Sequence, residues 1–258
     1  MLYSISRKQF IHNALSSYCT WTDIIRDSKM LDGKYYFDES DIYYLSVNYG
    51  GGETITVFNP YADSLLEKAQ SFFPNAKCIV FACQLEEYNN AEIKHKHGIV
   101  LHYKFIGAAE EGDMDITVRE VDESLLDFLE IYDNTYLSFL PENHGARLMN
   151  HWSRYEDRLL NGDEKLYLAW NKDDTLIGFV MMDVYKGLSA CDISQITIED
   201  PFKNQGYGKE LLRKIVTDAQ KEQYDIYYSS VNSDNIASQK TAESVGFKVV
   251  ACKISIVV

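Results

Sequence analysis

Two glycines one residue apart, Gly206 and Gly208, stand between the strand-like run Ser194–Ile198 and an amphipathic run carrying Leu211, Leu212, Ile215 and Val216 on one side. A helix that begins there leaves its first backbone N–H groups without partners, and the helix dipole adds partial positive charge at the same end. Residues without side chains let a ligand's phosphates approach those N–H groups closely. Lys203 and Lys209 flank the pair and add formal charge. The chemistry this stretch offers is anion binding, and a plain structural turn is the alternative.

Two nucleotide-binding patterns fail on these residues. The dinucleotide fingerprint needs a third glycine where Lys209, Glu210 and Leu211 stand. The Walker pattern needs a Ser or Thr after its Gly-Lys step, and Glu210 follows instead. A different pattern fits better. Lys203-Asn204-Gln205-Gly206-Tyr207-Gly208 resembles motif A of the GNAT superfamily of N-acetyltransferases, [RQ]-x-x-G-x-[GA], with Lys203 departing at the first position. Lysine keeps the charge there but lacks the bidentate fork of arginine. Further on, Asn235, Ser238, Gly246 and Phe247 resemble the family's motif B, N-x-x-[AS]-x7-G-F. Taken alone, that second match is also what a helix ending at a glycine cap before a strand looks like.

The resemblance covers Asp115 to Val258 and implies acetyl-CoA as co-substrate, with no metal. By analogy, Ile196, Thr197 and Ile198 offer main-chain groups to the pantetheine. Lys203, Asn204, Gln205, Gly206, Tyr207, Gly208 and Lys209 hold the pyrophosphate, and Asn235 and Ser238 face the cofactor from the motif B side. The implied reaction is direct transfer of the acetyl group to a primary amine, without a covalent enzyme intermediate.

Such a transfer needs a base, because the amine must lose a proton before attack, and sometimes an acid for the departing thiolate. Many members carry a tyrosine seven residues after the motif B asparagine, where this chain has Ala242. Tyr227 and Tyr228 on the preceding strand are substitutes. One branch of the family carries a base fourteen residues before the first motif A glycine, an offset that falls on Asp192, and Glu199 is a second candidate. The missing tyrosine keeps two other readings open: a non-catalytic acyl-CoA-binding or regulatory module, and a transferase of another acyl or aminoacyl group.

The elements that must carry these residues follow from periodicity and turn chemistry. Asp115–Val258 reads in the order βααβββαβαβ: a strand at "DITVREV", helices at "DESLLDFLEIYDNTYLSFL" and "GARLMNHWSRYEDRLL", and two strands around the turn "NKDD". A strand leads into the glycines, and the region closes on a terminal strand pair in "FKVVACKISIVV". This is an α/β (α+β) class with a mixed, mostly antiparallel sheet flanked by helices. The acidic stretch "GAAEEGDMD" separates it from a smaller α/β region, giving domains 1–112 and 113–258. In the first, two strands flank Gly50–Gly52, a helix follows at "YADSLLEKAQSFF", and strands follow at "KCIVFACQL" and "HGIVLHYKF". That region shapes the acceptor cleft, makes a homodimer interface, or is a degenerate second copy of the fold.

Other residues carry weaker signals. His95, His97 and His102 are closely spaced but read as exposed loop histidines rather than a metal site. Trp152 and Tyr155 on the second predicted helix are candidates for acceptor contact. Net charge is −14, which excludes a phosphate-backbone partner and leans toward a cationic amine, either a small molecule or a peptide. Five cysteines without a CxxC pair read as core thiols in a reducing compartment. With no signal sequence and no apolar run long enough to span a bilayer, the expectation is a cytoplasmic protein without a membrane partner.

Overall fold

The computed structural model describes residues 1–6, 9, 34–38, 41–47, 52–59, 61–84, 99–108, 112, 114–122, 161–185 and 189–258. Contacts divide the chain into two compact units. The first is Met1–Lys104 with Ser229–Gln239 and Lys248–Val258, and the second is Phe105–Tyr228 with Lys240–Phe247. The C-terminal strand therefore completes the N-terminal unit, an arrangement the sequence boundary at 112/113 does not contain.

In the first unit, β1 (Tyr3–Ile5), β2 (Lys34–Phe37), β3 (Ile42–Val47) and β4 (Glu53–Val57) run antiparallel in chain order. Helix α1 (Asp63–Phe72) then carries the chain to β5 (Ala76–Gln84), which lies parallel to β4. A parallel neighbour cannot be reached by a tight turn, so a crossover helix is the expected connection. Strand β12 (Phe247–Val257) pairs antiparallel with β5 from Ala251–Gln84 to Val257–Cys78, and β6 (Ile99–Phe105) follows it in the sheet order. Ile55, Val57, Leu65, Ala69, Ile79, Phe81, Ile254 and Ile256 form the apolar core between sheet and helix. A paired polar cluster borders it. Lys68 Nζ lies 2.7 Å from Asp38 and 2.8 Å from Asp41, the Tyr43 hydroxyl donates to Asp38 at 2.9 Å, and Asn59 donates to Asp41 at 2.6 Å.

The second unit repeats this plan. Strands β7 (Ile116–Glu120), β8 (Glu164–Asn171), β9 (Leu176–Tyr185) and β10 (Ala190–Ile198) run antiparallel. Helix α2 (Tyr207–Lys221) then leads to β11 (Asp225–Asn232), parallel to β10. Asn171 organises the β8–β9 turn by accepting from the amides of Asp173 (3.0 Å) and Thr175 (2.9 Å), with Asp174 left-handed at φ 54°. The apolar side of α2 is buried through Leu211, Leu212, Ile215, Val216 and Ala219, the stripe expected of a helix laid on a sheet. Leu166, Leu168, Phe179 and Met181 pack together on the strands. Helix α3 (Ile236–Val245) begins in the first unit and ends in the second.

The mixed, mostly antiparallel sheet with flanking helices is as the sequence implies. The expected pair of terminal strands is instead one strand of eleven residues, because "FKVVACKISIV" holds no turn-forming residue to break it. His102 is buried on β6 rather than exposed in a loop, since the strand "IVLHYKF" carries it into the interior. The two helices expected before β8, with Trp152 and Tyr155, and also His95 and His97, lie outside the described residues.

Candidate functional site

Strand β10 treats its two edges differently. Toward β9 it stays in register from Ala190–Tyr185 to Ile198–Gly178. Toward β11 the parallel register comprises Ala190–Asp225, Cys191–Ile226 and Asp192–Tyr227. Just past that last pair, the β9 register slips between Ile193 and Gln195, leaving Ser194 as an extra residue whose hydroxyl donates to Met181 O at 3.3 Å. A bulge of this kind bends and twists its strand. The main chain of Ile196, Thr197 and Ile198 follows immediately and leads into the glycine turn.

That turn is compact and leaves backbone amides turned toward the start of α2 without a protein acceptor among the described residues. Asp200–Phe202 form one 3-10 turn, Lys203 is extended, and both Asn204 (φ 61°) and Gly206 (φ 90°) are left-handed. Asparagine is among the side chains that tolerate that region, and glycine enters it without strain. Gln205 donates to Pro201 O at 2.7 Å, and the rings of Phe202 and Tyr207 meet edge to face at 5.8 Å, fixing the loop on itself. Gly206 caps α2 without any side-chain hydrogen bond. Glu210 is the first residue of α2 whose amide finds a helical acceptor, Gly206 O at 3.1 Å. Among the described residues, no protein acceptor takes the amides of Tyr207, Gly208 and Lys209. Left-handed loop residues followed by free helical N–H groups suit a phosphate. A Cβ on Gly208 would meet only ordinary contacts, Ile198 at 3.5 Å and Thr241 at 4.0 Å. The position therefore accepts glycine or alanine, whereas the φ of Gly206 requires glycine. Lys203 Nζ is paired with Asp200 at 2.5 Å, both side chains exposed.

The proposed proton-transfer residues are spread along the same two strands. Asp192 is buried, directly across from Tyr227 on β11 and Asp183 on β9, and the three share one face of the sheet. Burial, reinforced by the neighbouring Asp192 charge, pushes the Cys191 thiol far above its usual value, so it stays protonated. Glu199 leaves the strand end, its amide held by Ile177 O at 2.9 Å. Tyr228 is buried edge to face with Phe247 at 6.0 Å. Ala242 is fully buried on α3.

Asn235 and Ser238 belong to the first unit, where Asn235 Oδ1 accepts from the Ser238 amide at 3.1 Å. Asn235 thus caps α3, a role expected of asparagine three residues before a free helical N–H. The bulge at Ser194 is the one feature of this region that sequence reasoning missed. In "DISQIT" the polar–apolar alternation slips at Ser194–Gln195, two polar residues in succession, and that slip is the signal that could have found it. Among the described residues there is no cluster of potential metal ligands and no helix long and apolar enough to cross a membrane.

Comparison with known proteins agrees with this geometry. Residues 125–247 match the model of the family described as the acetyltransferase (GNAT) family. Over 98 residues the chain is 29% identical to the [ribosomal protein bS18]-alanine N-acetyltransferase of Haemophilus ducreyi, a stretch covering 37% of this chain and 65% of that relative, just under two thirds of its length. An acetyltransferase from the GNAT family from Colwellia psychrerythraea superposes with a TM-score of 0.64 at 14% identity, over 99% of both chains. A tandem GNAT protein from the clavulanic acid biosynthesis pathway does so with a TM-score of 0.56 at 10% identity, over 99% of this chain and 98% of that one. At such identities the structural likeness is one of fold. The family model places its match on the segment 125–247, which holds the glycine turn and α2.

Proposed function

We propose that the second unit binds acetyl-CoA and transfers its acetyl group to a primary amine. The observation that carries this reading is the row of unclaimed amides at Tyr207, Gly208 and Lys209 behind a left-handed Gly206. These amides, with Lys203, Asn204, Gln205 and Lys209, would hold the pyrophosphate. The main chain of Ile196–Ile198, past the last described β11 register pair, would take the pantetheine amides.

In the transfer, a bond forms between the amine nitrogen and the acyl carbon, and the carbon–sulfur bond breaks. Asp192 lies at the last paired position of β10 and β11 among the described residues, and we assign it the proton that leaves the amine. Of the two tyrosines on β11, Tyr227 sits directly across from Asp192 and is the better placed to protonate the departing sulfur. Tyr228 is packed against Phe247. The net charge of −14 favours a cationic acceptor, and the free thiols of Cys78, Cys191 and Cys252 suit the reducing cytoplasm.

The first unit fits the reading of a second, closed copy of the same plan. Its β4 and β5 stay paired from Glu53–Ala76 through Val57–Phe81, and Tyr61 stacks edge to face on Phe81 at 5.2 Å. Its helix α1 has Ala62 at the N-cap and Asp63 in the first turn, where an anion would meet a carboxylate. One cofactor per chain follows.

The buried Ala242 favours a second reading, a CoA-binding module without turnover. Release of free thiol from acetyl-CoA, measured across polyamines, aminoglycosides, amino acids and peptide N-termini, separates the two. Amine-dependent release supports transfer, and binding without release on every acceptor supports the module.

A further inference from the structure

Gly178 stands opposite Ile198 in the β9–β10 register, and β10 passes it too closely for a side chain. A Cβ on residue 178 would run into the carbonyl oxygen of Thr197 and come within 3.0 Å of Ile198 Cδ1 and 3.1 Å of Ile198 Cα. Two of these three obstacles are main chain, so no rotamer change relieves them. The chain is also tied down just beyond, where the Glu199 amide donates to Ile177 O at 2.9 Å. On its other side, Ile198 Cγ1 lies 3.5 Å from the point where a Cβ on Gly208 would stand. Ile198 thus spans from the glycine of β9 to the glycine at the start of α2, and every residue in this chain of contacts belongs to the second unit.

We propose that Gly178 is a positioning residue for the phosphate loop. Its missing side chain sets how far the end of β10 lies from β9. Through Ile198, that distance fixes where the first-turn amides of α2 stand. The proposal rests on the reading of that loop as the CoA site. Gly178 acts without any role in the chemistry: a side chain there pushes the Thr197–Ile198 peptide off β9 and moves Ile198 against Gly208. A near-rigid interior transmits such a shift rather than absorbing it.

The test compares Gly178→Ala with Leu166→Ala, a buried core truncation on β8, whose register partner on β9 is Met181. Two quantities are read: the Kd of CoA by calorimetry, and the amide 1H–15N shifts of Gly206, Tyr207, Gly208 and Lys209 in the ligand-free protein. Gly178→Ala is expected to weaken CoA about tenfold, as small misplacements in a binding site do, and to displace those four amide signals. Leu166→Ala is expected to lower the melting temperature while leaving Kd within about twofold, since it removes core packing without setting an atom against the Thr197–Ile198 main chain. An unchanged Kd in Gly178→Ala, or equal weakening in both variants, overturns the proposal. If CoA binds to no form of the protein, the CoA reading fails. Displaced amide signals in Gly178→Ala alone then still uphold the positioning role, and unmoved signals end it.

Discussion

Asp192 and Tyr227 form the last cross-strand pair of β10 and β11 among the described residues, and the bulge at Ser194 lies two residues later. A buried carboxylate two residues before a bulge that bends its strand is a candidate for proton transfer, because desolvation favours its proton-accepting role over full ionisation. Replacing Asp192 with Asn nearly keeps the side chain's shape and removes the proposed base. Turnover is expected to fall about a hundredfold, with the Kd of CoA unchanged. Steady-state kinetics beside calorimetry read both quantities. Undiminished turnover removes Asp192 from the mechanism.

The two glycines of the loop are expected to respond differently to the same substitution. Gly206→Ala forces a side chain into a left-handed backbone, costing about 1–2 kcal/mol, and either lowers stability by that amount or distorts the turn and weakens CoA. Gly208→Ala meets only ordinary contacts. It is expected to keep CoA affinity within about twofold and to leave the fold unchanged or stabilised by about 0.5 kcal/mol. Denaturant melts and CoA titrations of the two variants check this, and equal effects contradict it.

Alkaline pH is expected to unfold the first unit through its polar cluster. Burial, and then the hydrogen bond and charge of Asp38, push the Tyr43 hydroxyl well above its ordinary range. Burial and the hydrogen bond to Asp63 raise Tyr61 to about 12. Burial alone would lower Lys68, but its bonds to Asp38 and Asp41 hold it above its usual value. All three folded-state values exceed the unfolded ones, so their contribution is complete below about pH 10 and is lost as pH rises beyond it. Chemical denaturation between pH 7 and 12 should show stability falling from about pH 10 upward. Lys68→Met, which takes the shared ammonium from two buried carboxylates, is expected to cost about 2 kcal/mol at neutral pH. A variant as stable as the parent contradicts the account.

Much of this was legible in the residues. Gly206 and Gly208 signalled a helix start with exposed amides because glycine spacing and the apolar stripe of α2 are local properties. Asn235 was legible only through the motif B resemblance, and its side chain accepts from the Ser238 amide. The closeness of Gly178 to Thr197 and the placing of β12 with the first unit depend on which strands lie side by side. Such long-range pairing leaves no mark in composition or period. His102 was misread for the same reason: a single histidine in an apolar strand is buried or exposed according to what covers the sheet.

The measurement that bears most directly on the account is calorimetric titration of the full chain with CoA, alongside Gly206→Val. The account predicts one CoA bound per chain, held by the amides of α2, with binding abolished in the variant because a branched side chain cannot enter the left-handed backbone. The absence of CoA binding to the parent chain, or binding that survives intact in Gly206→Val, would contradict it.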